Sequence, residues 1–374
     1  MSELSPRTPT WDRSSGAETA ISSLDAGLQF RGYPLEDLVA EASFLEVAHL
    51  LLQGDLPNRE ELADTQASWL ESPELEPDLA AWLETVPLHV PLGDVFRTGL
   101  SLLTQDDPRR HENSPIAIWQ TSLRLYAQLP LLIAGRVRHV QARPLLALRD
   151  ELTFAGNLYW LLTEDEPTAI AEQALDALLV CCAEHEFSPS TYAVRLAASV
   201  RSDFTSTLPA GVAVARGALH AGLAQQVAGI YDMLSSAPAA EMWAQATLQR
   251  QARLPGFWHR VYRDTDPRAS VLSPLCHELA EENGNTALEE VAAAIENVVR
   301  EEQQMQPAII WPAMRILKHL NLAPELAVPL FCLSRMTGWA AHYLEQTQNT
   351  RPIRPRARYI GPPLRRYLSP EERG

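Results

Sequence analysis

Residues 35–54 read LEDLVAEASFLEVAHLLLQG, a run in which leucine, valine, alanine and phenylalanine return every three or four positions. That spacing lays the apolar groups along one face of a 3.6-residue helix, so the stretch predicts helix and not strand. The same periodicity recurs at 148–167, LRDELTFAGNLYWLLTEDEP, and at 286–306, TALEEVAAAIENVVREEQQMQ. Strand-like alternation between turns is scarce. The 28 prolines and 17 glycines fall largely between the periodic runs, as in LLQGDLPNREEL at 51–62, where they separate one helix from the next. The expectation is an all-α chain, at least half helical, built from many helices of modest length.

At 374 residues and 46% apolar content the chain can form one large domain or two, each with a real core. Lys and Arg number 31 against 47 Asp and Glu, a net charge of −16 that repels nucleic acid and anionic membrane. No window approaches the roughly 18 consecutive apolar residues of a membrane span. The opening MSELSPRTPTWDRSSGAET has neither a basic start nor an apolar run, so a soluble, cytoplasmic protein is expected. Cys181 and Cys182 adjoin in an apolar run while Cys276 and Cys332 stand alone; without CxxC or metal spacing they read as reduced, mostly buried thiols, and no metal site is expected. From Arg351 onward the chain turns to Arg and Pro. Prolines 352, 355, 362 and 363 forbid a regular helix there, so an extended arm reaching toward something anionic is expected.

Chemistry-bearing residues concentrate at 253–268, RLPGFWHRVYRDTDPR. The Pro-Gly pair allows a sharp turn that presents His259 from a loop, with Arg260, Arg263 and Arg268 near it in sequence. Guanidinium forks bind carboxylate and phosphate alike, so the loop suits either anion. The plainer alternative is a solvated loop whose arginines pair with Asp264 and Asp266. His220, in RGALHAGLAQQV, opens a small-residue run that reads as a helix start; it is either a cap or a neutral imidazole donating a hydrogen bond. His185, before a Ser-Pro-Ser turn, reads by default as a core or capping histidine.

Taken together and in order, the segments ETAISSLDAGLQFRGYPLEDLVAEASFLEVAHLLLQGDLP, HEFSPSTYAVRLAAS, GALHAGLA, LPGFWHRVYRDTDPR, PLFCLSRMTGWAAHYLEQ and RPIRPRARYIGP resemble citrate synthase and its 2-methylcitrate synthase relatives. The resemblance runs from Glu18 to Pro362. It implies a multi-helical homodimer with a large domain, 1–220 plus 319–374, and a small lid-like domain, 221–318. It also implies the family reaction of the tricarboxylic acid cycle, a condensation of acetyl-CoA with oxaloacetate followed by thioester hydrolysis, with coenzyme A as part of a substrate and no permanently bound cofactor. Carried over by position, His185, Arg268, Arg335 and, from the other subunit, Arg354 would bind oxaloacetate. His259 would bind it too and polarise its ketone, His220 would stabilise the enol of acetyl-CoA, and Arg263 would meet CoA phosphate.

One group departs from this pattern. The family base is an aspartate, and gap-free matching back from SRMTGW puts its position at Ile310, within PAIIWPAM. Isoleucine accepts no proton, and Glu301 and Glu302 lie more than two helical turns upstream. Trp258 stands where a glycine is usual before His259, Ser188 where an asparagine is usual, and Ala221 and Ala224 where a glycine and an asparagine are usual. The resulting expectation is a family member whose oxaloacetate residues persist while citrate formation is weak or absent. The alternatives are a dicarboxylate-binding pseudoenzyme, a regulatory partner of an active paralogue in a heteromer or higher assembly, and a working enzyme of altered geometry.

Overall fold

The computed structural model describes residues 18–373 except 26, 106, 108, 263 and 350. Within them a three-stranded antiparallel sheet of two-residue strands, β1 (Ser22–Ser23), β2 (Gln29–Phe30) and β3 (Tyr33–Pro34), precedes sixteen α-helices. The first ten are α1 (Leu35–Glu41), α2 (Phe44–Gln53), α3 (Arg59–Trp69), α4 (Pro77–Thr85), α5 (Leu92–Gln105), α6 (Pro115–Val140), α7 (Phe154–Thr163), α8 (Ala169–Ala183), α9 (Pro189–Ser199) and α10 (Phe204–Ala215). There follow α11 (Ala224–Met233), α12 (Ala237–Gln249), α13 (Pro267–Glu282), α14 (Ala287–Gln303), α15 (Ile310–His319) and α16 (Ala327–Gln348).

The 35–54 run is two helices and not one. Ser43 interrupts it because its hydroxyl accepts the Glu46 amide while the Glu46 carboxylate accepts the Ser43 amide, a reciprocal cap that starts α2 afresh. Gly54 then ends α2 in the left-handed region at φ 103°. Of the 148–167 run only α7 is helical, started by Thr153, whose hydroxyl accepts the Gly156 amide. Proline is not confined to breaks: Pro130, Pro209 and Pro274 lie inside α6, α10 and α13.

Helix α16 is the spine. Its residues from Cys332 to Tyr343 are all buried, and it packs against α2, α6, α8, α9 and α10. Close approach depends on Gly338, where a Cβ would collide with the Glu184 carboxylate and the Ala183 carbonyl. Tyr126 of α6 reaches Thr337 of α16 through a buried hydroxyl pair at 2.8 Å. Helices α11 to α15 pack chiefly on one another, α12 on α14 and α13 on α15, while α13 also packs on α8 and α1. The buried apolar core is continuous through both groups of helices.

Candidate active site

The loop at 256–266 places the first group of side chains. Gly256 takes φ +93°, and a Cβ there would come within 2.9 Å of the Trp311 ring, so the turn before His259 is both left-handed and tightly packed. His259 Nδ1 accepts the amides of Val261 and Tyr262 at 3.2 and 3.3 Å. A neutral imidazole has one bare nitrogen, so these amides select the tautomer with the proton on Nε2. That nitrogen lies 3.3 Å from Arg268 Nη2. Two donors then face each other, an arrangement that an oxygen placed between them would relieve.

Arg268 and Asp266 form a buried pair, 4% and 2% exposed, through Nε to Oδ1 at 2.9 Å and Nη2 to Oδ2 at 2.8 Å. Burial alone would raise the Asp266 carboxyl. The Arg268 charge and hydrogen bonds outweigh it, and the net shift is downward. Asp266 also caps α13 through the Arg268 amide. The plainer reading of the loop therefore holds in one respect, since Asp266 does pair with an arginine, but the pair is buried and not solvated.

His185 lies against this loop, its ring centroid 5.2 Å from that of His259, and its Nε2 is 2.9 Å from the Tyr262 hydroxyl. Burial, and then the charges of Arg268, Arg335 and His259, hold its pKa well below the usual value. The same causes press on the other two histidines: burial followed by Arg335, Arg268 and His259 brings His220 to about 3. Burial followed by Arg268 brings His259 to about 4. All three are neutral at pH 7.

Arg335, 1% exposed in the middle of α16, donates from Nε to the Cys182 carbonyl at 2.5 Å and from Nη1 to the Ser188 hydroxyl at 3.0 Å. Burial brings its pKa down to about 10, partly offset by Glu184. Ser188 touches Ser190 and Thr191, and Ser190 Oγ reaches His220 Nε2 at 3.1 Å. His220 does precede a short helical turn, 221–223, that leads into α11, and makes no capping bond with its side chain. A polar chain thus joins His220 to Arg335.

Position 310 is the first residue of α15 and packs half-buried against the core. Its neighbour Trp311 is fully buried between Phe257 and Tyr231, with ring centroids 4.6 and 4.7 Å away, and donates from Nε1 to Glu296 at 2.7 Å. A second carboxylate meets this segment, Asp266, whose Oδ2 accepts the Ile309 amide at 3.0 Å. Glu301 and Glu302 are exposed on α14. Trp258 is 51% exposed, with Arg253 5.6 Å over its ring.

His185, His259 and Arg268 meet directly, and Arg335 and His220 are joined to one another through Ser188 and Ser190. Arg354 lies on the exposed arm, where it donates to the Pro355 carbonyl, and does not reach the site of its own chain. Arg263 lies outside the described residues. Sequence reading missed Tyr262, which stacks on His259 with centroids 4.7 Å apart, and Glu184, whose fully buried carboxylate accepts from Ser22 and pairs with His342. An acid directly before His185 at the end of an apolar helix was the available signal for Glu184. Tyr262 carried none beyond its place in the loop.

Among the described residues no group of side chains suits a metal ion, and no helix is long and apolar enough to cross a membrane. The family model "Citrate synthase, C-terminal domain" matches residues 13–356. "Citrate synthase 2" of Bacillus subtilis is 31% identical over 357 residues, 95% of this chain and 96% of that protein. "Citrate/2-methylcitrate synthase" of the same organism is 33% identical over 367 residues, 97% and 98% of the two chains. Among solved structures, the citrate synthase of Pyrobaculum aerophilum superposes with a TM-score of 0.86 at 26% identity, covering 96% of this chain and 93% of that one. That of Thermoplasma acidophilum, solved in ternary complex with carboxymethyl coenzyme A and oxaloacetate, shares the fold at a TM-score of 0.88 and 23% identity over 96% and 98% of the chains.

Proposed function

Because the chain belongs to the citrate synthase family, whose chemistry joins an acyl-CoA to oxaloacetate, we propose that it retains the dicarboxylate half of that chemistry and forms citrate weakly or not at all. The observation that carries this reading is a contrast. Arg268 and Arg335 are buried cations beside neutral histidines, a donor set for a dianion. The first turn of α15, by contrast, offers Ile309, Ile310 and Trp311, and the two carboxylates bonded to it are engaged elsewhere, Asp266 with Arg268 and Glu296 with Arg315.

In this reading His185, Arg268 and Arg335 bind oxaloacetate or a citrate-like dicarboxylate. His259 donates Nε2–H to its ketone, and His220 is available to an acyl thioester oxygen where negative charge develops. Acetyl-CoA is the candidate second substrate, with Arg263 as the expected phosphate contact. The expected division is a large domain of 1–220 plus 319–374 and a small one of 221–318. A homodimer completes the site with Arg354 of the second copy, in keeping with an exposed arm tied to its own chain by the Ile353 amide at Ser199. That arm equally suits pairing with an active paralogue, the regulatory form of the same proposal.

The test has two arms. Thiol release from acetyl-CoA with oxaloacetate should run at least about 10²-fold below an ordinary enzyme, the usual worth of a general base. Calorimetric titration with citrate should show binding that Arg335→Ala weakens. Turnover at tens per second, an ordinary enzyme rate, would refute the first arm. Flat titrations with both oxaloacetate and citrate would refute the second.

A further inference from the structure

Tyr262 touches three members of the proposed anion set at once. Its hydroxyl is 2.9 Å from His185 Nε2, its ring stacks on His259 at 4.7 Å, and the Arg268 guanidinium lies 5.7 Å from its centroid. No step of the family's chemistry outlined above uses it. The Tyr262 O–H has His185 Nε2 as its hydrogen-bond partner. When the phenol donates there, Nε2 is the bare nitrogen of the neutral ring and the ring proton sits on Nδ1. In this state His185 has no N–H to offer a carboxylate through Nε2.

We propose that Tyr262 is a positioning residue that holds His185 in the non-donating tautomer while the site is empty, so that a dicarboxylate enters by taking the place of the Tyr262 hydroxyl at Nε2. The proposal rests on the dicarboxylate reading above. On entry the imidazole proton moves from Nδ1 to Nε2 through solvent exchange, with no net proton gained by the ring. The freed phenol O–H then finds water or the ligand. Each bound anion thus replaces one existing hydrogen bond, and the tyrosine makes the empty site resist weaker, singly charged carboxylates.

The experiment compares the full-length protein with Tyr262→Phe, which removes one oxygen and keeps the stacked ring. Long-range ¹⁵N NMR on histidine-labelled protein, assigned with His185→Gln, reads the tautomer directly. Without ligand, wild type should show His185 protonated on Nδ1 with a hydrogen-bonded Nε2, and Tyr262→Phe should lose that hydrogen-bond shift. Citrate should convert wild type to the Nε2–H form. Its affinity should rise roughly 2- to 10-fold in Tyr262→Phe, the range for one exchanged hydrogen bond. A melting temperature unchanged by the substitution would not account for that tightening, so a merely structural role is separable.

An Nε2–H signal in the ligand-free wild type, or equal or weaker citrate affinity in Tyr262→Phe, would overturn the proposal. If wild type binds no citrate while its ligand-free tautomer is as stated, the dicarboxylate reading fails and the tyrosine lock stands. Should Tyr262→Phe prove unfolded, the ligand-free wild-type tautomer and its response to citrate decide the matter alone.

Discussion

Replacing Asp266 with asparagine separates charge from shape at the most heavily bonded carboxylate of the site. Asp266 receives Nε and Nη2 of Arg268 at 2.9 and 2.8 Å, the Arg268 amide at 3.1 Å and the Ile309 amide at 3.0 Å. Asparagine fills the same volume but keeps one acceptor oxygen and turns an NH₂ toward donors. A buried arginine is left without its counter-charge, a loss of about 3–5 kcal/mol for a broken buried pair. Urea unfolding at pH 7, followed by far-ultraviolet circular dichroism, should show the midpoint fall with little change in slope. The pH dependence tests the cause. The Asp266 pKa is depressed in the folded chain, so its contribution is present above the unfolded value of about 3.9 and is lost as pH falls through the folded one. The gap between wild type and Asp266→Asn should therefore close below about pH 4. Citrate should also raise the melting temperature more in the variant, because the ligand supplies the missing negative charge. A loss under about 1 kcal/mol, the scale of an exposed pair, or a gap that persists in acid, would refute the reasoning.

Arg335→Ala should weaken citrate binding by about 2–5 kcal/mol, part of it the cost of leaving a carboxylate unpaired, as read by calorimetry. His220 and His259 are depressed to about 3 and about 4 from 6.5, so the unfolded chain takes up protons first and stability should fall as pH drops from 6.5 toward 4. His259→Asn should flatten that limb of the stability curve, and an unchanged slope would rule the histidine out. If Arg354 serves a second copy, mixing Arg354→Ala with Arg335→Ala chains should restore citrate binding at one site per mixed dimer, and no recovery would count against the shared arm.

The helices were legible because their periodicity is local, and the misreadings occur where a single side chain overrides it. Nothing in the apolar spacing of 35–54 marks a break. Ser43 makes one because it and Glu46 exchange hydrogen bonds, a signal carried by two polar residues inside an otherwise continuous pattern. The loop at 253–268 stood out by its residue types, but its wiring did not. Whether Asp266 neutralises Arg268 in water or in the core depends on α8 and α1 packing over α13, contacts far apart in sequence. The adjacency of Tyr262 to His185 spans 77 positions and no local pattern records it. Arg335 was identifiable only through the resemblance, since within α16 it is one cation in a buried apolar run.

Ile310→Asp places a carboxylate at the position that the family resemblance assigns to the base. An aspartate at the first position of α15 would gain from the helix N-terminus, which favours a negative charge. It would also sit beside the buried Trp311 and half-buried Ile309, surroundings that raise a carboxyl pKa and so make it a better base once ionised. Asp266 lies close by at the Ile309 amide, and a second carboxylate near the first would be pushed up further by repulsion. Citrate formation by Ile310→Asp should therefore rise, with an acid limb displaced above that of a solvent-exposed aspartate. The gain should remain partial if Trp258, half exposed in front of His259, narrows the approach of the thioester. Trp258→Gly combined with Ile310→Asp should then exceed the two single effects together, as positions acting on one bound substrate do. Released thiol is the readout across pH for all four proteins. Strict additivity would remove the indole from the account, and no gain in either aspartate variant would mean that position 310 does not face the acyl group.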